Sequence, residues 1–496
     1  MGDQILIIGA GMGGLFSALA LASTGWTVTV LERDPPPPPG DADVAFETWN
    51  HRGVGHLRHS HAFLARLRSI IVSRYPSLME ELKDAGCQEL TFAAGLPEVT
   101  AERYKPIPSD ADLAILTSRR TTLELVLRRH VEAQPGVTFR SGVNVAGLTG
   151  AKDAEGRFVC TGLTLDDGET LSGLVVDAAG KSTGLFDWLA EMGIVPPEET
   201  EDAGILYYTR HWRLRPGQEP PPRGATPGAG DLGYIKYGVF PADNDCFSIT
   251  LAAPEIEEEL RKAIMRPEVF DGLCARLPGA AVWTDPARSE PISKVFGMGD
   301  LRSRWRNMTP GGKPLALGVF SVGDGLVRTN PLYGRGCSFA AIEGHLLADV
   351  LNAETDPIAR ALRYQAAIDH DLRHFYEDMR SQDRAAIRRA RHALNPAYKP
   401  GFKAKVMKSF TEDAIGVAIR SDPALFRAFM RGFHMLEPSR AWMQKPAVLL
   451  KILLTWMTPR AAKTRFYPPT LGPERSEMLQ ALGVSPTADA ARLGYA

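Results

Sequence analysis

Six residues near the start of this chain, Gly9-Ala-Gly-Met-Gly-Gly14, constrain its fold more than any other feature. They follow directly on Ile5-Leu-Ile-Ile8, an apolar, β-branched run that suits a strand buried on both faces of a parallel sheet. Behind them Leu15-Phe-Ser-Ala-Leu-Ala-Leu-Ala22 has helical propensity, Gly25 closes that helix, and Thr27-Val-Thr-Val-Leu31 alternates as a second strand ending at Glu32. The result is a complete βαβ unit. Gly9 permits the tight turn off the strand, Gly11 lets the backbone approach a pyrophosphate, and Gly14 allows the helix to pack closely. The helix N-terminus then offers N–H groups and a positive dipole end to phosphate. Glu32, about 20 residues beyond the glycines, is placed to accept hydrogen bonds from a ribose diol and would repel a ribose 2′-phosphate. FAD or NAD is therefore the expected ligand of this unit, and NADP is not.

A second loop of this kind lies far along the chain. The apolar run Pro314-Leu-Ala-Leu-Gly-Val-Phe-Ser-Val322 leads into Gly323-Asp-Gly-Leu-Val-Arg-Thr-Asn-Pro-Leu-Tyr-Gly-Arg-Gly336, and a helical pattern begins at Cys337. Gly323-Asp324, Asn330-Pro331 and Gly334-x-Gly336 ahead of a helix resemble the second FAD fingerprint of the p-hydroxybenzoate-hydroxylase-like flavoprotein superfamily. Ser118-Arg-Arg-Thr-Thr-Leu-Glu124 resembles its Arg-x-x-Leu-Glu helix. Leu174-Val-Val-Asp-Ala-Ala-Gly-Lys-Ser182 resembles the strand-turn of its halogenase and geranylgeranyl-reductase branches. The resemblance implies FAD as cofactor, Asp324 on the ribityl chain, the backbone around Gly334 and Gly336 beside the N1 and C2 carbonyl edge of the ring, and Arg120 near the pyrophosphate. Ala10, Met12, Gly13, Arg33, Val145, Gly323, Pro331 and Arg335 complete the expected cofactor-contacting set. Arg119, Arg128 and Arg129 read equally well as a solvated basic face. The turn after Asp177 departs from the Asp-Gly form of aromatic hydroxylases that recruit NAD(P)H themselves. The electron donor is accordingly left between NAD(P)H and a partner flavin reductase.

At 496 residues the chain is long for one core. The expected fold class is α/β: a Rossmann-like FAD-binding domain of the glutathione-reductase type, interleaved with an antiparallel-sheet substrate domain and followed by an α-helical C-terminal extension. The FAD domain is assigned to 1–85, 105–185 and 290–352, the substrate domain to 86–104 and 186–289, and the extension to 353–496, with breaks near Pro396, Pro400 and Pro438. The segments 233–240 and 246–251 read as a hairpin turning at Pro241-Ala-Asp-Asn-Asp245. Tyr208, Arg210 and Trp212 fall on one face of a neighbouring strand, read first as a core face and secondarily as a surface for an apolar or aromatic substrate.

A formal charge of −1 gives no electrostatic reason to expect nucleic acid as a partner. Five scattered cysteines without C-x-x-C spacing indicate neither a disulfide framework nor a zinc site. No signal-peptide pattern precedes the first strand, so a cytoplasmic location is expected. Residues 447–457 are apolar apart from Lys451 and too short to span a bilayer, and Lys445, Arg460 and Lys463 flank them. A buried helix is the first reading of that segment; the alternative is peripheral membrane contact through 445–465, or a cover over a hydrophobic substrate entrance.

His56, His59 and His61 cluster in sequence, but nothing nearby completes a ligand spacing, and no metal is expected. His59 and His61 are candidates for positioning flavin or for general acid/base work, with capping or core histidines as the plain alternative, and Tyr333 on the flavin loop is a third candidate. The function that best fits is an FAD-dependent monooxygenase hydroxylating or epoxidising an apolar or aromatic small molecule. The alternatives are a flavin-dependent halogenase, weakened by the lack of a Trp-x-Trp-x-Ile-Pro segment; a geranylgeranyl-reductase-like reductase of isoprenoid double bonds; and a flavin-binding protein without catalysis.

Overall fold

The computed structural model describes residues 4–222, 226–395 and 397–484. Its centre is a parallel sheet in the order Val319–Ser321, Leu174–Asp177, Gln4–Ile8, Thr27–Glu32, Val137–Ser141. Ile5, Ile7, Val28, Val30, Val175 and Val176 are fully buried, as a sheet covered on both faces requires. Because every pairing is parallel, the carboxyl ends of these strands converge on one edge, and both glycine loops leave from it. Helices Met12–Ala22 and Gly336–Ala353 pack side by side behind the loops. Their approach depends on Gly344, where a Cβ would lie 2.8 Å from the Ser17 nitrogen.

The substrate-side sheet runs Ala229–Asp231, Lys236–Pro241, Cys246–Pro254, Ile205–Leu214, Ser289–Pro291, with Phe296–Met298 also pairing on Ile205–Leu214. The expected hairpin is present, and Asn244 and Asp245 adopt φ of 52° and 58° at its turn. The sheet continues through Met298, past the boundary expected at 290, because the strand at 205–214 is long enough to pair twice along one edge. Segment 86–104 does not join this sheet. Gln88–Leu90 pairs with Ile115–Thr117, and Phe92 and Leu96 pack with Leu113 against Phe426 and Met430 of the C-terminal region.

That region is less separate than its sequence suggests. Helix Pro357–Leu394 buries Tyr364, Ile368, Leu372, Phe375, Tyr376 and Met379 in the same core as the parallel sheet. The breaks expected near Pro400 and Pro438 fall in connections, before helix Phe402–Ser409 and after helix Pro423–Phe433; Pro396 lies outside the described residues. Helix Pro446–Met457 corrects the buried reading of its segment: only Ile452 is fully buried, and Leu449, Leu450, Leu453, Leu454 and Met457 are exposed. Among the described residues no helix is long and apolar enough to cross a membrane.

Candidate cofactor and substrate site

One cavity of about 610 Å³ joins both glycine loops to a face of the substrate-side sheet. Gly9, Gly11, Met12, Gly13, Glu32, Arg33 and Val145 line it together with His51 and Val54. Gly9 has φ 98°, and a Cβ there would sit 2.7 Å from the Ala178 carbonyl oxygen. Gly14 does not line the cavity. A Cβ at Gly14 would lie 1.9 Å from the Gly9 carbonyl oxygen, so this glycine serves the turn itself. Gly11 differs from both, since a Cβ there would meet nothing nearer than Val54 Cγ2 at 3.7 Å. The space its side chain would take belongs to the cavity, and the helix begins with no side-chain cap. Its first-turn N–H groups are left for a ligand.

The Glu32 carboxylate accepts from the Ala10 nitrogen at 2.7 Å and from the Asp34 nitrogen at 2.8 Å. Ala10 therefore acts by fixing Glu32 and does not line the cavity. One acceptor lone pair remains on each Glu32 oxygen for a diol. Glu32, Asp34 and His51 bring ligand-type atoms within 4.8 Å of one another. Ordinary hydrogen bonds account for that grouping: Asp34 accepts from the Gly53 nitrogen (2.8 Å) and bonds His51 Nδ1 (3.0 Å), and His51 Nε2 faces Glu124 at 3.3 Å.

Arg120 and Glu124 form the buried ionic centre of the wall. Arg120 Nε donates to Glu124 at 2.6 Å, and its Nη1 reaches Cys337 Sγ at 3.0 Å. Burial works against the Glu124 carboxylate, but Arg120 and His51 outweigh it and hold its pKa at about 2. Burial also opposes the charged form of His51, yet Glu124, Glu32 and Asp34 together raise its pKa. Arg119 and Arg128 are buried, which corrects the solvated-face reading for both. Arg119 binds Asp243 in the hairpin turn through its backbone nitrogen (2.6 Å) and its Nε (3.0 Å), and Arg128 stacks on Phe139. Only Arg129 of the three is exposed.

At the second loop, Gly323, Asp324, Pro331, Tyr333, Gly334 and Gly336 all line the cavity. Asp324 accepts no hydrogen bond from the described residues, so its carboxylate is free to meet ribityl hydroxyls. Burial raises its pKa against the pull of Arg328, Arg120 and Lys181. Helix Gly336–Ala353 also starts without a side-chain cap. Arg335 departs from expectation: its side chain turns away from the cavity to the Phe375 carbonyl (2.6 Å) and Asp378 (3.3 Å), pinning the loop to the long helix. Tyr333 presents its ring to the cavity while its hydroxyl donates to Asp383 at 2.9 Å. Asp383 also takes Asn330 Nδ2 (2.8 Å), and burial lifts its pKa to about 6. A Tyr333 hydroxyl committed in this way is not a free catalytic acid or base.

His59 and His61 both line the cavity. His61 Nδ1 bonds the His59 carbonyl (2.9 Å), which leaves Nε2 as an acceptor 3.5 Å from Arg120 Nη1. Burial first, then the Arg120 and His56 charges, push its pKa well below the usual histidine value. His59 is held at about 4 by burial and bonds Thr209 Oγ1 at 3.0 Å. Both rings are neutral at pH 7, so they can accept a proton but cannot begin as general acids. Beyond His59 runs a chain of hydroxyls through Thr209, Thr250 (2.8 Å), Ser60 (2.8 Å) and Ser248 (2.7 Å). Sequence reading missed this chain, as it missed Tyr207 and Thr209 as cavity residues. Tyr208 and Trp212 lie on the core face, as first read, and Tyr207 and Thr209 occupy the opposite face.

The residues fit FAD: two uncapped helix starts, the open space at Gly11 and the unpartnered Asp324 carboxylate all meet on one cavity. Residues 4–94 match the family model described as FAD dependent oxidoreductase. No curated protein matches the chain. Among solved structures it is similar to CmlS, a flavin-dependent halogenase (TM-score 0.58, 16% identity, covering 92% of this chain and 77% of that one). It is also similar to the flavin-dependent brominase Bmp2 (TM-score 0.55, 18% identity, 82% and 92%). A third similar structure is OxyS anhydrotetracycline hydroxylase from Streptomyces rimosus (TM-score 0.52, 18% identity, 87% and 75%). The matched glycine-rich segment and the site built around it make this chain an FAD-dependent oxidoreductase on the fold that flavin-dependent hydroxylases and halogenases share.

Proposed function

We propose that this enzyme is a monooxygenase that hydroxylates or epoxidises an apolar or aromatic small molecule. The observation that carries the reading is the continuity of the cavity from the two glycine loops to Tyr207, Phe240, Ala252, Met298 and Leu301, a largely apolar wall that Thr209, Thr250 and Lys236 interrupt. The chemistry supplied by bound FAD is two-electron transfer and, from the reduced state, activation of dioxygen. The protein's share is to hold the diphosphate end on the first helix start, exclude water with the apolar wall, and offer neutral His59 and His61 as proton acceptors. The Asp177 turn supports a separate reductase as electron donor. Its carboxylate is spent on Thr183 (2.8 Å) and Ser321 (3.2 Å), locking two strand ends together.

The test is an anaerobic titration of the yellow protein with NADH and NADPH, then oxygen consumption and product mass across apolar and aromatic substrates. Addition of one oxygen atom supports the monooxygenase. A product that appears only with halide indicates a halogenase, gain of two hydrogens without oxygen uptake indicates a reductase, and either result displaces the proposal. Absence of bleaching by both nucleotides supports the reductase partner, and prompt bleaching by either one overturns it.

A further inference from the structure

We infer that the outer face of the C-terminal helical layer docks on an anionic phospholipid surface. Helix Pro446–Met457 is apolar on two sides. Its inner residues Val448, Ile452 and Trp456 pack with Ala418 and Trp442. Its outer residues Leu450, Leu454 and Met457, exposed by 59%, 55% and 77%, follow one another at helical spacing with Leu449 and Leu453 beside them. Lys451, paired with Asp422, and Thr455 form a narrow polar side between the two, so both apolar sides call for a nonpolar medium and the protein provides only one.

The neighbouring helix Phe402–Ser409 repeats the pattern. Phe402 is 84% exposed and Met407 is also exposed, set among exposed Lys403, Lys405 and Lys408. Trp456 Nε1 donates to Ser409 Oγ at 3.1 Å and the Trp456 ring meets Phe410, so the two helices end side by side.

Charge selects lipid over a second apolar protein face. Residues 397–468 hold thirteen Lys and Arg against four Asp and Glu, whereas the whole chain holds 57 against 58. Lys399, Lys403, Lys405 and Lys445 are exposed and enter no ion pair with the described residues. Exposed leucines bordered by unpaired lysines suit the boundary between acyl chains and anionic headgroups. No helix of the described residues is long and apolar enough to span, so the layer would lie on the surface. Phe433, which lines the cavity, belongs to the same layer and reaches this face through Phe429 and Trp442. If the apolar-substrate reading holds, a molecule dissolved in the bilayer would arrive beside the cavity rim.

The full-length FAD-loaded protein is sedimented with vesicles of phosphatidylcholine alone, or with about one third phosphatidylglycerol, at low and high salt. Expected is binding to the anionic vesicles that weakens with salt, with little binding to phosphatidylcholine. The surface double variant Leu450→Ser/Leu454→Ser should bind about tenfold more weakly while keeping its melting temperature and FAD content. Lys403→Glu/Lys405→Glu should weaken binding and flatten its salt dependence. No sedimentation with any vesicle overturns the inference, as does undiminished binding by the leucine variant. So does a dimer, seen by analytical ultracentrifugation, that the leucine variant turns into a monomer, because a second copy then covers the face. None of these outcomes depends on turnover, so they are independent of the monooxygenase proposal.

Discussion

Alanine at Gly11 and alanine at Gly14 should separate cofactor binding from folding, although the two glycines belong to one motif. At Gly14 the added methyl would lie 1.9 Å from the Gly9 carbonyl oxygen. That carbonyl cannot retreat, since Gly9 sits at φ 98° with its own Cα hydrogen facing the Ala178 backbone. Overpacking of this kind costs about 1–3 kcal/mol or more, so Gly14→Ala should melt well below the parent and yield little soluble protein. At Gly11 the φ of −76° suits alanine, and the nearest atoms, at 3.7 and 3.9 Å, are ordinary contacts. The folding cost is that of a poorer N-cap, about 1 kcal/mol. The same methyl would stand where the diphosphate must approach the helix start. Losing the dipole interaction and a charge-assisted hydrogen bond is worth about 2–4 kcal/mol, or roughly 30- to 700-fold in affinity. Thermal unfolding of the apoproteins and FAD titration by quenching of flavin fluorescence measure both effects. FAD bound by Gly11→Ala within about threefold of the parent would refute the assignment of this helix start to the diphosphate.

Arg120→Ala leaves Glu124 buried without its cation and should cost about 3–5 kcal/mol of stability by denaturant unfolding; a loss below about 1 kcal/mol would mean the pair is not the buried unit described. Asp324→Ala removes a group that bonds nothing in the protein, so the apoprotein should melt as before while FAD binds about tenfold or more weakly; equal affinity would take Asp324 off the cofactor. Burial holds His434 at about 4 in the folded protein against 6.5 unfolded, so below pH 6.5 the unfolded chain binds the extra proton and the folded state loses ground until about pH 4. Asp383, raised to about 6, pulls the opposite way, so the comparison is with a variant: His434→Gln should gain on the parent by up to about 1.4 kcal/mol per unit of acidification in that window, and a constant difference from pH 7 to 4 would count against the burial account. His61→Ala should keep FAD and slow turnover; unchanged turnover removes it as a proton acceptor.

The features that sequence made legible are those set by neighbours along the chain. The turn at Gly9, the helix after it and the hairpin ending at Asn244 and Asp245 depend on backbone freedom within a few residues, and spacing reports that directly. Alternation along Ile205–Leu214 separated Tyr208 and Trp212 from Tyr207 and Thr209, but alternation does not say which face meets a cavity; the helices over 258–284 took the first pair, leaving the second for the site. Arg119, Arg335 and Gly344 were opaque for a different reason. Each is explained by a partner far along the chain, Asp243, Phe375 with Asp378, and Ser17, and no local pattern carries that pairing. The exposed face of Pro446–Met457 was misread because an apolar run looks the same whether protein covers both of its sides or one.

The distribution of charge along the cavity follows from these long-range pairings and bears on what it can hold. Near Gly11 the wall is ionic, with Glu124 Oε1 3.9 Å from where a Gly11 Cβ would stand, Arg120 bonded to that carboxylate and His51 Nε2 facing it at 3.3 Å. Toward the substrate-side sheet His59 is held neutral by burial and His61 by burial and by Arg120 itself, the hydroxyls of Thr209, Thr250 and Ser60 bond one another, and Lys236, paired with Asp231 at 3.4 Å, is the charged lining residue of that sheet. A cationic substrate at that end would lose its water and find no carboxylate among the lining residues there, at a cost of several kcal/mol that hydroxyls do not recover. An uncharged, largely apolar molecule loses nothing comparable and gains from contact with Phe240, Met298 and Leu301. Arg120 sits at the junction, within reach of Glu124, Cys337 and His61 at once. Its charge thus serves the ionic end by pairing and the reacting end by keeping an adjacent imidazole deprotonated, two tasks that one buried guanidinium can perform only because the first cancels most of its own desolvation.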